Sequence, residues 1–377
     1  MLAPQAGSQS SYGGRFRATD LAAPWRHVDV VLLGAVAGVL LIGSVMVQSA
    51  TRHLPGGGTF VAKHAMFIVL GAVAMGALSL LDYRRILAWW PVVYGGSLAL
   101  LAGVLTPLGA TINGTKGWYR IGPLQLQPAE FAKVAMIVAV AAYLGSGERV
   151  DLRRLFGALM LMGGPVVLTM LQPDLGSSLV FIVAGLGMMV VGGVKLRHLA
   201  VLVVLGAVAV VGILNSGTLD QYQKDRLTSF VTPDGQSYNV RQAQIAISSG
   251  GITGYGLGKG PQTKGGYVPE QQTDFIFTVA GEELGFLGSG LLILLLGVVL
   301  WRIWRIAQMA ADLAGTLICV GVMCMFLFHV FENIGMTLGI MPVTGIPLPF
   351  VSYGGSSMLA AFVALGLVQS VHMHRFV

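Results

Sequence analysis

Residues 28–50 read VDVVLLGAVAGVLLIGSVMVQSA, and after Asp29 no charge interrupts the run. Crossing the ~30 Å hydrocarbon layer takes roughly 20 mostly apolar residues in a helix, so this stretch predicts a membrane span. The same reading recurs at 60–82, 86–108, 128–146, 155–171, 176–193, 197–216, 275–300, 312–334 and 348–371. Ten such segments predict an all-α, polytopic membrane protein. The fifth and sixth are short and are parted by Gln172-Pro173-Asp174-Leu175-Gly176, which predicts a tilted or re-entrant pair. Composition points the same way. The 377 residues are 55% hydrophobic and 10% charged, against about 25% charged in soluble domains.

The basic residues carry the orientation. With the amino terminus inside, the inner segments hold Arg15, Arg17, Arg26, Arg84, Arg85, Arg149, Arg153, Arg154, Lys195, Arg197, Arg302, Arg305 and Arg375. The short outer loops hold only Arg52, Lys116 and Arg120. That bias predicts both termini on the cytoplasmic side. The net charge of +7 is therefore a topology signal, and a nucleic-acid partner is not expected. Residues 1–27 lack the apolar core of a signal peptide and read as a flexible cytoplasmic tail. Residues 28–377 then form one membrane domain with a long outer loop, 217–273, between spans seven and eight. Cys319 and Cys324 share one apolar run, which supports neither a disulfide framework nor a zinc site.

Polar chemistry gathers in a few places. Gly117-Trp118-Tyr119-Arg120-Ile121-Gly122 leads into Gln127-Pro128-Ala129-Glu130-Phe131-Ala132-Lys133. Pro128 suits a first helical turn, and Glu130 and Lys133, three apart, share one helix face. Charges inside a span usually face a cavity or a partner; the alternative is an interfacial pair whose lysine reaches out to water. Trp118 and Tyr119 fit an interfacial aromatic belt equally well. In the long loop, Arg241 lies in Tyr238–Gln244, and Lys259 sits among glycines 250–260 that lack the Gly-Lys-Ser/Thr ending of a phosphate-binding loop. Asp274, after Gln271-Gln272-Thr273, opens the eighth span either as a helix cap or as a general base. Glu282, Glu283, His329, Glu332 and Asn333 fit buried helix–helix hydrogen bonding better than metal ligation. Pro342–Ser357, rich in proline and glycine, is irregular backbone that must line a cavity or lie within protein.

Gln127–Lys133, Gln172–Gly176, Thr273–Phe277 and Asn333–Thr337 through Pro342–Ser357 together resemble the SEDS family (shape, elongation, division and sporulation). The resemblance runs over 28–372. Pro347-Leu348-Pro349-Phe350 with Ser356-Ser357-Met358-Leu359 is closer to its elongation, RodA-like branch than to the FtsW branch. It implies a SEDS-type fold and a peptidoglycan glycosyltransferase polymerising lipid II at the outer face of the bacterial cytoplasmic membrane. It also implies a class B penicillin-binding protein as partner, and no organic cofactor. The family's essential loop aspartate falls on Asp274, its charged pair on Glu130 and Lys133, its loop tryptophan on Trp118, and its Gln-Pro-Asp-Leu-Gly aspartate on Asp174. Gln272 stands where histidine is frequent, and Ala129 where serine is.

On that reading Asp274 is the base of one inverting displacement. Lys133, Arg120, Arg241 and Lys259 are candidates to neutralise the leaving pyrophosphate, with Mg²⁺ or Mn²⁺ bridging its oxygens. Glu130 would orient Lys133 or hold a cation, and the expected arrangement is one cavity shared by Asp274, Glu130 and Lys133. A flippase for the same lipid-linked precursor is the rival from another class.

Overall fold

The computed structural model describes residues 27–112, 114–122, 124–147, 150–215 and 238–376. The expected amino-terminal tail up to residue 26 and the first part of the outer loop, 216–237, lie outside them. The chain is a multi-pass membrane protein. Six described helices are long and apolar enough to cross a bilayer, and further apolar helices are shorter.

Each helix start has a local cause. Asp29 caps α1 (Val30–Thr51), accepting from Leu32 N at 2.9 Å. The helix α2 (Gly57–Leu80) leads to a short α3 (Tyr83–Ala88), capped by Asp82. Non-helical Trp89 then separates α3 from α4 (Trp90–Val104), so the segment expected at 86–108 is two helices. Pro128 opens α5 (Pro128–Leu144) in its first turn, as the sequence predicts. Asp151 caps α6 (Leu152–Leu171) and Asp174 caps α7 (Leu175–Val191), followed by α8 (Leu196–Asn215). Both helices flanking Gln172–Gly176 are continuous. Beyond them lie α9 (Tyr238–Ser249), α10 (Pro261–Gly265), α11 (Ile276–Gln308), α12 (Leu313–Thr337) and α13 (Gly355–Met373).

Pro165 inside α6 cannot donate to the carbonyl four residues back, that of Leu161. The Tyr94 hydroxyl of α4 donates to that oxygen instead, at 2.8 Å. In a lipid-facing helix such a replacement is required, because no water is present to do it.

The all-α expectation needs one correction. Residues 110–126 form a small antiparallel sheet, β1 (Ala110–Ile112), β2 (Thr115–Ile121) and β3 (Leu124–Leu126) in that order. Short strands between two spans carry too few residues for their alternation to stand out from the surrounding apolar runs. The sheet is fastened to α4 by Lys116 Nζ on Leu105 O (2.8 Å) and Tyr119 OH on Leu100 O (2.9 Å).

Helix α5 is buried along nearly its whole length, and α13 packs along α2 with most of its residues buried. Around them the other helices present apolar surface, with Leu41, Val73, Val92, Phe156, Val203 and Phe286 all exposed. Greasy side chains outside and charged ones inside is the arrangement lipid imposes. At the Asp29 end, Asp29 also pairs with Arg302 of α11, while Asp312 takes hydrogen bonds from Tyr83 OH (2.7 Å) and Arg84 Nε (3.3 Å).

Helix α11 is broken. Gly285 has φ 65° and ψ −163°, a region open in practice to glycine alone. Around the break, Tyr255 N and Gly256 N donate to Glu282 O (3.1 Å) and Glu283 O (3.0 Å). In return, Phe286 N and Leu287 N donate to Gly251 O (2.9 Å) and Ile252 O (3.1 Å). The glycine-rich segment thus replaces the hydrogen bonds that the helix gives up.

Candidate active site

Asp274 lies just before α11, and neither it nor Thr273 caps the helix. The cap position is Phe275, which makes no side-chain cap bond, while Thr273 Oγ1 donates to Glu270 O at 3.1 Å. The capping alternative for Asp274 is therefore not what the fold uses. Asp274 is half-buried, its backbone N bonded to Glu270 O at 3.1 Å. Its carbonyl accepts from Asn333 Nδ2 at 2.7 Å, and the same amide donates to Ile346 O at 2.8 Å. Its carboxylate lies against Gly345, where an added Cβ would stand 3.3 Å from Oδ2.

The segment Thr344-Gly345-Ile346 is the meeting point. Thr344 Oγ1 donates to Glu332 Oε1 at 2.8 Å. The start of α7 comes so close that a Cβ on Gly176 would lie 3.0 Å from Thr344 O. Asp174, two residues earlier, caps α7 through Ser177 N (2.9 Å) and Ser177 Oγ (2.8 Å), and accepts from Gln127 Nε2 at 3.4 Å. Irregular backbone at 342–354 thus lies within protein, as its proline and glycine content requires.

Glu130 and Lys133 sit deeper. Lys133 Nζ donates to Glu130 Oε1 at 2.8 Å and contacts His329 Nε2 at 3.1 Å. Glu130 is 4% and Lys133 2% exposed, so the lysine does not reach out to water. His329, Glu332 and Asn333 fall on one face of α12 at spacings of three and four. That face runs from the Glu130–Lys133 pair to Thr344–Ile346 and Asp274. A cavity of ≈ 20 Å³, room for one water, touches Glu130, His329, Leu348, Phe350 and Ser357. Asp274 and Lys133 do not line it. Helix α12 joins the acid at the start of α11 to the pair on α5.

The other expected residues lie apart from this ladder. Trp118 is half-buried on β2 and Arg120 exposed on the same strand. The sheet is tied back by Ser356 Oγ, which takes Gln127 N at 2.9 Å and donates to Gln125 O at 3.3 Å. Arg241 is exposed on α9, whose Ala243 packs with Val268 and Phe275. Lys259 is exposed beside Gly258. Glu282 and Glu283 do not join His329. Glu282 accepts from Gln262 N (2.7 Å), Thr263 N (2.9 Å) and Thr263 Oγ1 (2.7 Å), and Glu283 from Ser49 Oγ (2.6 Å). Among the described residues, no group of three His, Cys, Asp or Glu side chains could hold a metal ion.

Sequence reasoning passed over Thr344 and Gly345 as individual residues, and Arg52 except as a charge. Their roles come from tertiary approach, and the one local signal was the density of proline and glycine around 342–357.

A family profile for FtsW, RodA and SpoVE, described as cell cycle protein, matches residues 26–376. Stage V sporulation protein E of Bacillus subtilis is 36% identical over 91% of this chain and 96% of its own length. Peptidoglycan glycosyltransferase MrdB of Escherichia coli is 34% identical over 93% of this chain and 94% of its own. A solved chain from a study of polymerization and crosslinking by a peptidoglycan synthase complex superposes with a TM-score of 0.79. It is 34% identical, covering 93% of this chain and 98% of that one. With such matches over nearly its whole length, the chain belongs to the FtsW, RodA and SpoVE family of cell cycle proteins.

Proposed function

We propose that this protein is a peptidoglycan glycosyltransferase that polymerises lipid II at the outer face of the cytoplasmic membrane, in the elongation branch. The observation that carries the reading is the placement of Asp274. Its backbone is held by Asn333, its carboxylate lies against a glycine, and it is half-buried at the end of the helix bundle. A general base needs that combination of fixed position and access. The activity named for MrdB supports the same reading, and the positive-inside bias supports cytoplasmic termini.

In the proposed step the acceptor sugar's 4-hydroxyl attacks the donor's anomeric carbon from the face opposite the pyrophosphate. The new carbon–oxygen bond forms as the old one breaks, its electron pair leaves on the pyrophosphate oxygen, and Asp274 takes the hydroxyl proton. One inversion turns an α-linked donor into a β-linked polymer. Glu130 is committed to Lys133, so their role is to hold α12, and through Asn333 the backbone of Asp274. A divalent cation, Mg²⁺ or Mn²⁺, would supply charge stabilisation to the leaving pyrophosphate. The synthase complex to which one solved relative belongs supports a class B penicillin-binding protein as partner.

The test is glycan synthesis from lipid II by purified protein in proteoliposomes, alongside Asp274→Ala and Asp274→Asn. Polymer from wild type and none from the folded variants is expected. Lipid II translocation without polymer in wild type would instead make it a flippase.

A further inference from the structure

A groove of ≈ 660 Å³ opens between α1, α2 and the loop at Leu257–Gly258. Its walls toward the middle of the bundle are apolar, with Val45, Val61 and Ala65. Its other end is polar, with Gln48, Ser49 and Thr51 leading to the exposed Arg52. From Val45 to Arg52 the helix rises about 10 Å at 1.5 Å per residue. The guanidinium lies against the loop, since a Cβ on Gly258 would stand 3.0 Å from Arg52 Nη1. Gly258 has φ +65°, so a side chain there would both strain the backbone and push Arg52 away. Exposed Lys259 is the next residue. The groove therefore ends at the Arg52 guanidinium, with Lys259 one residue past the loop contact at Gly258, and continues as an apolar channel.

We propose that this groove binds a polyprenyl-linked pyrophosphate, with Arg52 and Lys259 on the phosphates and the prenyl chain along Val45, Val61 and Ala65. An arginine at the mouth, with a lysine on the loop that touches it, matches a diphosphate better than the single charge of a glycerophospholipid phosphodiester. The neighbouring acid, Glu283, is buried and already takes the Ser49 hydroxyl, and it does not line the groove. The assignment rests on the glycosyltransferase reading for one further point, that the occupant is the leaving group of the sugar donor. Glu283, bonded to the groove residue Ser49, lies about 13.5 Å along α11 from Asp274, and Arg52 is nearly one turn past Ser49 on α1.

The experiment uses full-length protein in lipid nanodiscs, with undecaprenyl pyrophosphate as probe and phosphatidylglycerol as competitor, read by native mass spectrometry. Arg52→Gln and Lys259→Gln should each retain the pyrophosphate lipid about tenfold more weakly, Gly258→Ala should follow Arg52→Gln, and Arg52→Lys should recover part of the loss. Asp274→Ala should bind as wild type does. Unchanged retention in Arg52→Gln, or equal displacement by phosphatidylglycerol, overturns the groove assignment. Arg52-dependent retention by a wild-type protein that makes no polymer would leave the groove standing and remove the glycosyltransferase reading, so the two failures are distinct.

Discussion

Replacing Lys133 with Met removes one buried charge and leaves its volume nearly unchanged. Glu130, 4% exposed, then keeps a carboxylate whose 2.8 Å partner is gone, and His329 Nε2 loses its contact at 3.1 Å. Breaking a buried pair from one side costs about 3–5 kcal/mol. At about 2 °C per kcal/mol, suited to larger domains, the apparent Tm in detergent should fall by about 6–10 °C. The double variant Glu130→Leu/Lys133→Met has no orphaned charge. It should recover more than half of that loss, since an apolar pair of similar volume often replaces a buried ion pair without penalty. Thermal unfolding of wild type, Lys133→Met, Glu130→Leu and the double variant forms a double-mutant cycle, with lipid II polymerisation measured beside it. A pair that only holds α12 predicts that activity returns with stability in the double variant. A Lys133→Met protein as stable as wild type, or a double variant no more stable than the single, would refute the buried-pair reasoning. A stable but inactive double variant would show that the pair touches substrate.

Asn333→Leu frees the Asp274 and Ile346 carbonyls and should lower the polymerisation rate about tenfold or more with lipid II binding retained, measured as a split between kcat and KM. Tyr94→Phe leaves the Leu161 carbonyl unpaired opposite Pro165 and should cost about 1–3 kcal/mol of stability with activity intact, seen in the same melting assay. Gly285→Ala forces a side chain into a backbone region that costs about 1–3 kcal/mol and to within 2.3 Å of Gly254 N; it should expose the 251–256 loop to protease. Burial pushes the Asp312 carboxyl up, but the Gly315 N–H, the Tyr83 hydroxyl and Arg84 outweigh it and hold it below its usual 3.8. A lowered carboxylate stabilises the fold above its unfolded value and loses that contribution as pH falls through the folded one. The Tm gap between wild type and Asp312→Asn should therefore be full above about pH 4 and close as pH falls below it, read from melting curves across that range.

Most helices could be read from the sequence because a bilayer allows few alternatives. The run at 28–50 becomes Val30–Thr51, and Pro128 marks the start of α5. The Glu130–Lys133 pairing was also legible from spacing. What failed was whatever depends on a distant segment. Trp89 interrupts a run that is apolar throughout, and the 110–126 sheet has no periodicity long enough to notice. The Asp274 carboxylate was identified, but its neighbours were not, because Gly345 reaches it only through the return of the 342–354 loop. Nothing in Glu282-Glu283-Leu284-Gly285 distinguishes a glycine that breaks a helix from one that merely weakens it.

The exchange of main-chain bonds across Gly285 has a consequence for mutational tolerance. Its four bonds use only peptide groups of Gly251, Ile252, Tyr255, Gly256, Glu282, Glu283, Phe286 and Leu287. The side chains of Ile252, Tyr255, Phe286 and Leu287, all largely exposed, can therefore change without loosening the seam. A lipid-facing surface can be rewritten there for a new neighbour while Asp274, nine residues before Glu283, stays where it is.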